Sequence, residues 1–205
     1  MSMCGKPAIR TPAPCGLDDW LAYGREPSQM GWYEFVGLRH NGESVLDVGC
    51  GMGVGVAFMN HFGCLAIGVD SDIRLQSRPM TFTKLPSEIY GRRMTPYDVV
   101  TCIDVIEHVV DDLPFMEELK RLATKAVYVS TPNFARSKAR NEHHAREYTI
   151  GEFAEAFKPD EIWVSYPDGW YMRQRLPWPC AENHGAPDGH EWPHFCGVFY
   201  TGEKP

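Results

Sequence analysis

No run of eighteen apolar residues occurs in the 205-residue chain, so no segment reads as a helix long enough to cross a bilayer. Residues 1–16 carry Lys6, Arg10 and three prolines but no apolar stretch, so a secretory signal is not expected there. Positive charge is also in short supply. Twenty Lys and Arg against 27 Asp and Glu leave a net charge of -7. That sign disfavours a general nucleic-acid binder, which replaces phosphate counterions with basic side chains. The seven cysteines are odd in number and include no C-x-x-C pair, so reduced thiols in the cytoplasm are expected. There is no internal repeat and no low-complexity tract. What remains is ordinary globular material: 43% apolar and 23% charged residues, in a length that suits one α/β domain. The expected organisation is a flexible arm over residues 1–16, rich in Pro, Gly and Ala, and a single domain over 17–205.

Strand-like and helix-like stretches alternate through the middle of the chain. Residues 44–48, 64–69, 97–103 and 126–130 are short apolar, β-branched runs that predict buried strands, with a weaker one at 80–83. Residues 54–62 and 113–122 predict helices between them. Such alternation predicts right-handed βαβ units and a parallel sheet covered on both faces. Ligands of these sheets bind at the carboxyl ends of the strands, so functional residues should follow the runs directly.

After the first run comes Asp47-Val48-Gly49-Cys50-Gly51-Met52-Gly53-Val54-Gly55. A pyrophosphate-binding G-x-G-x-x-G needs its third glycine three positions after the second. That register places Val54 or Val56 there, and no P-loop lysine follows. The segment therefore reads as a bare turn on which an uncharged or cationic ligand can lie, with Asp47 able to hold an ammonium group. Asp70 stands 21 residues beyond Gly49 and can accept both hydroxyls of a ribose, with Ser71, Asp72 and Ile73 flanking a base. Taken singly, the turn is a plain strand–helix connection and Asp70 an N-cap. Taken together, they favour a nucleoside site.

Val45-Leu46-Asp47-Val48-Gly49-Cys50-Gly51-Met52-Gly53 resembles motif I of the class I S-adenosylmethionine-dependent methyltransferases. Asp70 matches their ribose-binding acid, and Tyr97-Asp98-Val99-Val100-Thr101-Cys102-Ile103-Asp104 is similar to their fourth-strand motif. The resemblance covers residues 40–157. It implies an α/β, Rossmann-like fold: a seven-stranded, mostly parallel sheet with an antiparallel last strand and helices on both faces. Residues 161–165 and 195–200 would supply the last two strands. It also implies S-adenosylmethionine as cofactor, held by Asp47, Gly49, Cys50, Gly51, Gly53, Asp70, Ser71 and Asp104. One departure is that Thr83-Lys84 stands where the family often carries an acid that contacts the adenine amine.

Asp104-Val105-Ile106-Glu107-His108 follows the fourth strand, and His143-His144-Ala145-Arg146-Glu147-Tyr148-Thr149 follows the fifth, so both should open onto one cleft. If Asp104, Glu107 and His108 form one helical turn, they share a face. Joined by a histidine of the second segment, they suit a mixed O/N site for a divalent cation. A general-base histidine and a purely structural role are the other two readings. The cluster resembles the metal-dependent O-methyltransferase branch, including ubiquinone-biosynthesis enzymes and small-RNA 2′-O-methyltransferases. That resemblance implies a cation such as magnesium on Asp104, Glu107, His108 and His144 (or His143), with His108, His144 and Glu107 as catalytic residues. Asp104 stands where Glu is commoner, and its reach is one methylene shorter.

The expected acceptor is a small hydroxylated metabolite or sugar, with Asn133 of Ser130-Thr131-Pro132-Asn133 available to hydrogen-bond its hydroxyl. The alternatives are a 2′-hydroxyl at an RNA end and a non-catalytic cofactor-binding relative; no membrane partner is expected. Thr149 and Glu152 read as a capping box for a helix over 152–157. Trp20, Tyr23, Trp32, Tyr33 and Phe35 predict an apolar helical face that packs on the core. Residues 177–193 predict a long loop over the cleft, and Arg173 and Arg175 read first as solvated charges, with an anionic acceptor as the second reading. Cys180, His184, His190, His194 and Cys196 lack zinc-finger spacing.

Overall fold

The computed structural model describes residues 27–70, 81–83, 95–138, 141, 144–165, 173–176 and 192–203. The elements run α1 (Pro27–Arg39), β1 (Ser44–Val48), α2 (Val54–His61), β2 (Leu65–Asp70), β3 (Thr81–Thr83) and β4 (Tyr97–Ile103). A 3-10 turn at Ile106–His108 precedes α3 (Asp112–Leu122) and β5 (Ala123–Pro132). There follow α4 (Phe134–Ser137), α5 (Ile150–Phe157), β6 (Glu161–Ser165), β7 (Arg173–Leu176) and β8 (His194–Tyr200).

The strands form one sheet in the order β3-β2-β1-β4-β5-β8-β6-β7. The left side, from β3 to β5, is parallel. β8 inserts antiparallel between β5 and β6. The sheet therefore has eight strands rather than the expected seven. The additional strand is β7, which pairs antiparallel with β6 at the edge. Its Arg175 is exposed to solvent and reaches back to Glu161 at 3.1 Å.

Two apolar layers cover the sheet, and strand alternation assigns side chains to them. On one face Leu46, Val100, Val127 and Phe195 meet Met116 and Leu119 of α3 and Phe153 and Phe157 of α5. On the other, Val45, Val99, Tyr128 and Val198 meet Trp32, Tyr33 and Val36 of α1 and Val54 and Met59 of α2. Both faces are dry. The α1 aromatics thus take the core-packing role expected of them, while Trp20 and Tyr23 lie outside the described residues. α5 starts with the expected capping box: the Glu152 amide donates to Thr149 Oγ1 at 3.2 Å, and the Thr149 amide donates to the Glu152 carboxylate at 2.9 Å.

This topology brings the carboxyl ends of β1, β2, β4 and β5 to one edge. At or just beyond those ends stand Gly49, Asp70, Asp104 and Asn133, each from a segment singled out by the sequence. The arm over residues 1–16, Ser71, Lys84, His143 and the loop residues 177–191 lie outside the described residues.

Candidate active site

The first rim of the cleft is backbone. After β1, Gly49, Gly51 and Gly53 all have positive φ, at 79°, 54° and 79°. L-residues avoid this region, so the loop depends on glycine at these positions. Close packing adds a second demand at Gly49, where a Cβ would lie 2.4 Å from Val105 Cγ2. The loop is pinned to the neighbouring strand: the Gly49 and Cys50 amides both donate to the Val69 carbonyl, at 2.8 and 3.1 Å. The Gly51 amide donates to Asp70 Oδ2 at 2.8 Å. Asp70 therefore stands at the rim beside the glycines, half-buried, as the spacing suggested. Asp47 is fully buried below them and accepts a hydrogen bond from Thr101 Oγ1, its register partner on β4, at 2.8 Å.

The second rim is made of side chains. Asp104 ends β4 with a left-handed backbone, φ 54°, a conformation that stores strain in a non-glycine residue. Its Oδ1 accepts from Ser130 Oγ at 2.7 Å, and its Oδ2 lies 3.4 Å from His194 Nδ1 at the start of β8. Burial raises the Asp104 carboxyl. The His194 imidazole and hydrogen bonds from Ser130 and Gln29 outweigh that and hold it at about 2. Glu107 is the counterpart. Burial pushes its carboxyl well above the usual carboxylate range, and the nearby Asp104 charge pushes it further. Its Oε2 accepts from Thr131 Oγ1 at 3.2 Å. Two neighbouring carboxyls are thus driven in opposite directions, a pattern that recurs where acid–base roles are divided.

The loop after α4 folds over this pair. The Ala145 and Arg146 amides donate to the Glu107 carbonyl at 2.7 and 3.1 Å, which fixes His144 beside the turn. The His108 and His144 rings meet edge to face with centroids 4.7 Å apart. Glu107, His108 and His144 each offer one ligand atom within 4.8 Å of the others. Asp104, Glu107, His108, His144 and His194 all line one cavity of about 290 Å³.

Two expectations change, and two residues join the site. Asp104 does not share a helical face with Glu107 and His108, because its left-handed turn and the 3-10 geometry redirect the chain. Its oxygens face Ser130 and His194, and it is not part of the three-residue ligand group. Asn133 is not open to an acceptor either: its side chain caps α4 at Ala135 and donates to the Trp192 carbonyl at 2.9 Å, fully enclosed. Finally, sequence reasoning passed over His194 and Glu147 as site residues. His194 enters only through β8 pairing, with Pro132 and Ser165 as its register partners. Glu147 had a local signal, the His144-x-x-Glu147 spacing, which places a carboxylate within reach of the ring.

The methyltransferase-domain family model matches residues 24–184 of the chain. The chain belongs to that family, the class I S-adenosylmethionine-dependent methyltransferases. It is 30% identical over 124 residues to the ubiquinone biosynthesis O-methyltransferase of Bordetella parapertussis, covering 52% of this chain and 50% of the relative. The same enzyme from Pseudomonas aeruginosa is 30% identical over 125 residues, covering 52% and 51%. The chain spans about half the length of the curated relatives it matches. Among solved structures, a possible histamine N-methyltransferase from Thermotoga maritima aligns with a TM-score of 0.60 at 13% identity, over 90% of this chain and 94% of that one. A TehB-like methyltransferase from Corynebacterium glutamicum aligns at 0.58 and 15%, over 91% and 94%. The small RNA methyltransferase HEN1 aligns at 0.61 and 18%, over 87% of this chain and 26% of that one. At these identities the structures show a shared fold. Among the described residues, no helix is long and apolar enough to cross a membrane.

Proposed function

We propose that the protein transfers the methyl group of S-adenosylmethionine to an oxygen of a small hydroxylated metabolite in the cytoplasm. The observation that carries the reading is a juxtaposition at one edge of the sheet: a turn of positive-φ glycines beside the Asp70 carboxylate after β1, and, after the adjacent β4, a cavity lined by Asp104, Glu107, His108, His144 and His194. The glycine turn suits the cofactor because a ligand can approach the backbone closely at three positions whose positive φ favours glycine. Asp70, whose Oδ2 accepts from the Gly51 amide, is the acid proposed to receive the ribose hydroxyls. Gly49, Cys50, Gly51, Gly53, Asp47, Ser71 and Asp104 complete the proposed cofactor set. When bound, the cofactor supplies an activated sulfonium methyl, so the protein has mainly to align the acceptor and remove its proton.

Glu107, His108 and His144 take the acceptor side. A neutral imidazole there accepts the hydroxyl proton, and Glu107, whose carboxyl is pushed upward by burial and by Asp104, stands beside it. The same three donors suit a divalent cation of borderline character, and a cation there would lower the pKa of a bound hydroxyl. The likeness to the ubiquinone-biosynthesis O-methyltransferases supports oxygen as the acceptor atom. The test is transfer of labelled methyl from S-adenosylmethionine to a panel of catechols and sugars, with and without magnesium. Labelled product that His144→Ala abolishes supports the reading. Transfer only to amines, or to RNA ends in a salt-dependent manner, contradicts it.

A further inference from the structure

His144 is bracketed by two groups of opposite hydrogen-bonding character. Glu147 Oε1 lies 2.6 Å from its Nδ1. A carboxylate only accepts, so Nδ1 carries the proton. Asn141 Nδ2 lies 2.9 Å from its Nε2. An amide nitrogen only donates, so Nε2 carries the lone pair. Both contacts suit the same tautomer, and the charge-assisted bond to the buried Glu147 outweighs the exposed one from Asn141.

Glu147 is itself held. Its side chain is only 2% exposed, and its second oxygen accepts the Ser137 hydroxyl. Ser137 lies in α4, which is fastened to the His144 loop by the bond from the Phe134 amide to the Tyr148 carbonyl at 2.8 Å. The carboxylate thus reaches the ring from a fixed base. A histidine's free nitrogen is set by what the other nitrogen donates to.

We infer that Glu147, steadied by Ser137, is a positioning residue of the acceptor site: it locks His144 as the Nδ1–H tautomer and leaves Nε2 as the ring's acceptor atom. Asn141, whose amide meets Nε2 in the absence of acceptor, marks the place an acceptor hydroxyl takes when it donates to the same lone pair. Only this last step rests on the proposed O-methylation. Without the lock the ring is free to adopt the Nε2–H form that unconstrained imidazole prefers, and that form offers the acceptor a donor in place of a lone pair.

Nitrogen-15 NMR of the histidine side chains, at about pH 8.5 where imidazoles are neutral, tests this without any methyl acceptor. His144 is assigned by comparison with His144→Gln. The wild-type protein is expected to show Nδ1–H as the dominant His144 tautomer. Glu147→Gln, whose amide oxygen can still accept from Nδ1, should retain it. Glu147→Ala should convert the ring mainly to Nε2–H, and Ser137→Ala should give a mixture. Circular dichroism reports whether each variant folds. An Nε2–H tautomer in the wild-type protein overturns the inference, and that measurement needs no variant. A folded Glu147→Ala protein that keeps Nδ1–H also overturns it. Because no acceptor is present, a negative result here leaves the O-methylation reading standing, and a failed acceptor panel leaves the tautomer result standing.

Discussion

The two rims of the cleft are built on opposite plans. The glycine rim is backbone: three positive-φ glycines, amides donating to Val69, and one carboxylate at its edge. The acid–histidine rim is a network of side chains from β4, the 3-10 turn, the loop after α4 and the start of β8. The first rim lies within 24 residues of chain, from Asp47 to Asp70, and depends on what its residues lack. The second is assembled from four separate segments and depends on which group faces which. The first plan rests on backbone conformations that favour glycine, whereas the second rests on paired charges and hydrogen bonds.

Substitutions should separate the two plans. The largest effect is expected from Gly51→Arg, which puts a long cationic side chain at a position with φ 54°. It should abolish S-adenosylhomocysteine binding in calorimetry while circular dichroism stays that of a folded protein. Unchanged affinity would remove the loop from the cofactor site. Asp70→Ala should weaken the same binding about ten- to a hundredfold, the loss of hydrogen bonds to a charged group worth about 1.5–3 kcal/mol. Competition fluorescence can measure this, and an effect below twofold would move the ribose elsewhere.

On the other rim the expected signature is pH dependence of stability. Asp104 has its folded pKa held below the ordinary value of 3.8, at about 2, so its contribution is fully present above the unfolded pKa and disappears as pH falls through the folded one. Asp104→Asn should therefore cost about 2 kcal/mol at pH 7, with the gap to wild type closing between about pH 4 and pH 2. Glu107 runs the other way. Its raised pKa favours the folded state while the group is protonated, and that advantage is lost as pH rises through the folded value. Glu107→Gln should gain on the wild-type protein as pH rises. Urea denaturation at several pH values checks both, and parallel pH curves for the two variants would contradict the opposed carboxyls. Thr149→Ala should have the smallest effect, about 1 kcal/mol from the lost cap, with no change in cofactor binding.

The same contrast explains what could be read from the chain. β1 and β4 fall where their apolar runs predict, because both are buried on two faces and bounded by glycine or polar residues. The glycine rim was legible for the same reason: its signal is contiguous. β5 runs to both sides of its predicted core, since Ala123–Lys125 and Thr131–Pro132 carry no strand signal of their own and are held by pairing with β4 and β8. The edge strand β7 had no apolar alternation to reveal it. Asp104 was misplaced because its left-handed φ cannot be read from a spacing that suits a helix. His194 could not be found at all from local pattern, because only the insertion of β8 between β5 and β6 brings it to Asp104.

A crystal structure with bound S-adenosylhomocysteine tests the central claim most directly. The account places the nucleoside over Gly49, Gly51 and Gly53, its ribose hydroxyls on Asp70, and the sulfur on the side facing Glu107, His108 and His144. A nucleoside bound away from the glycine turn, or a sulfur directed away from that cavity, would contradict it.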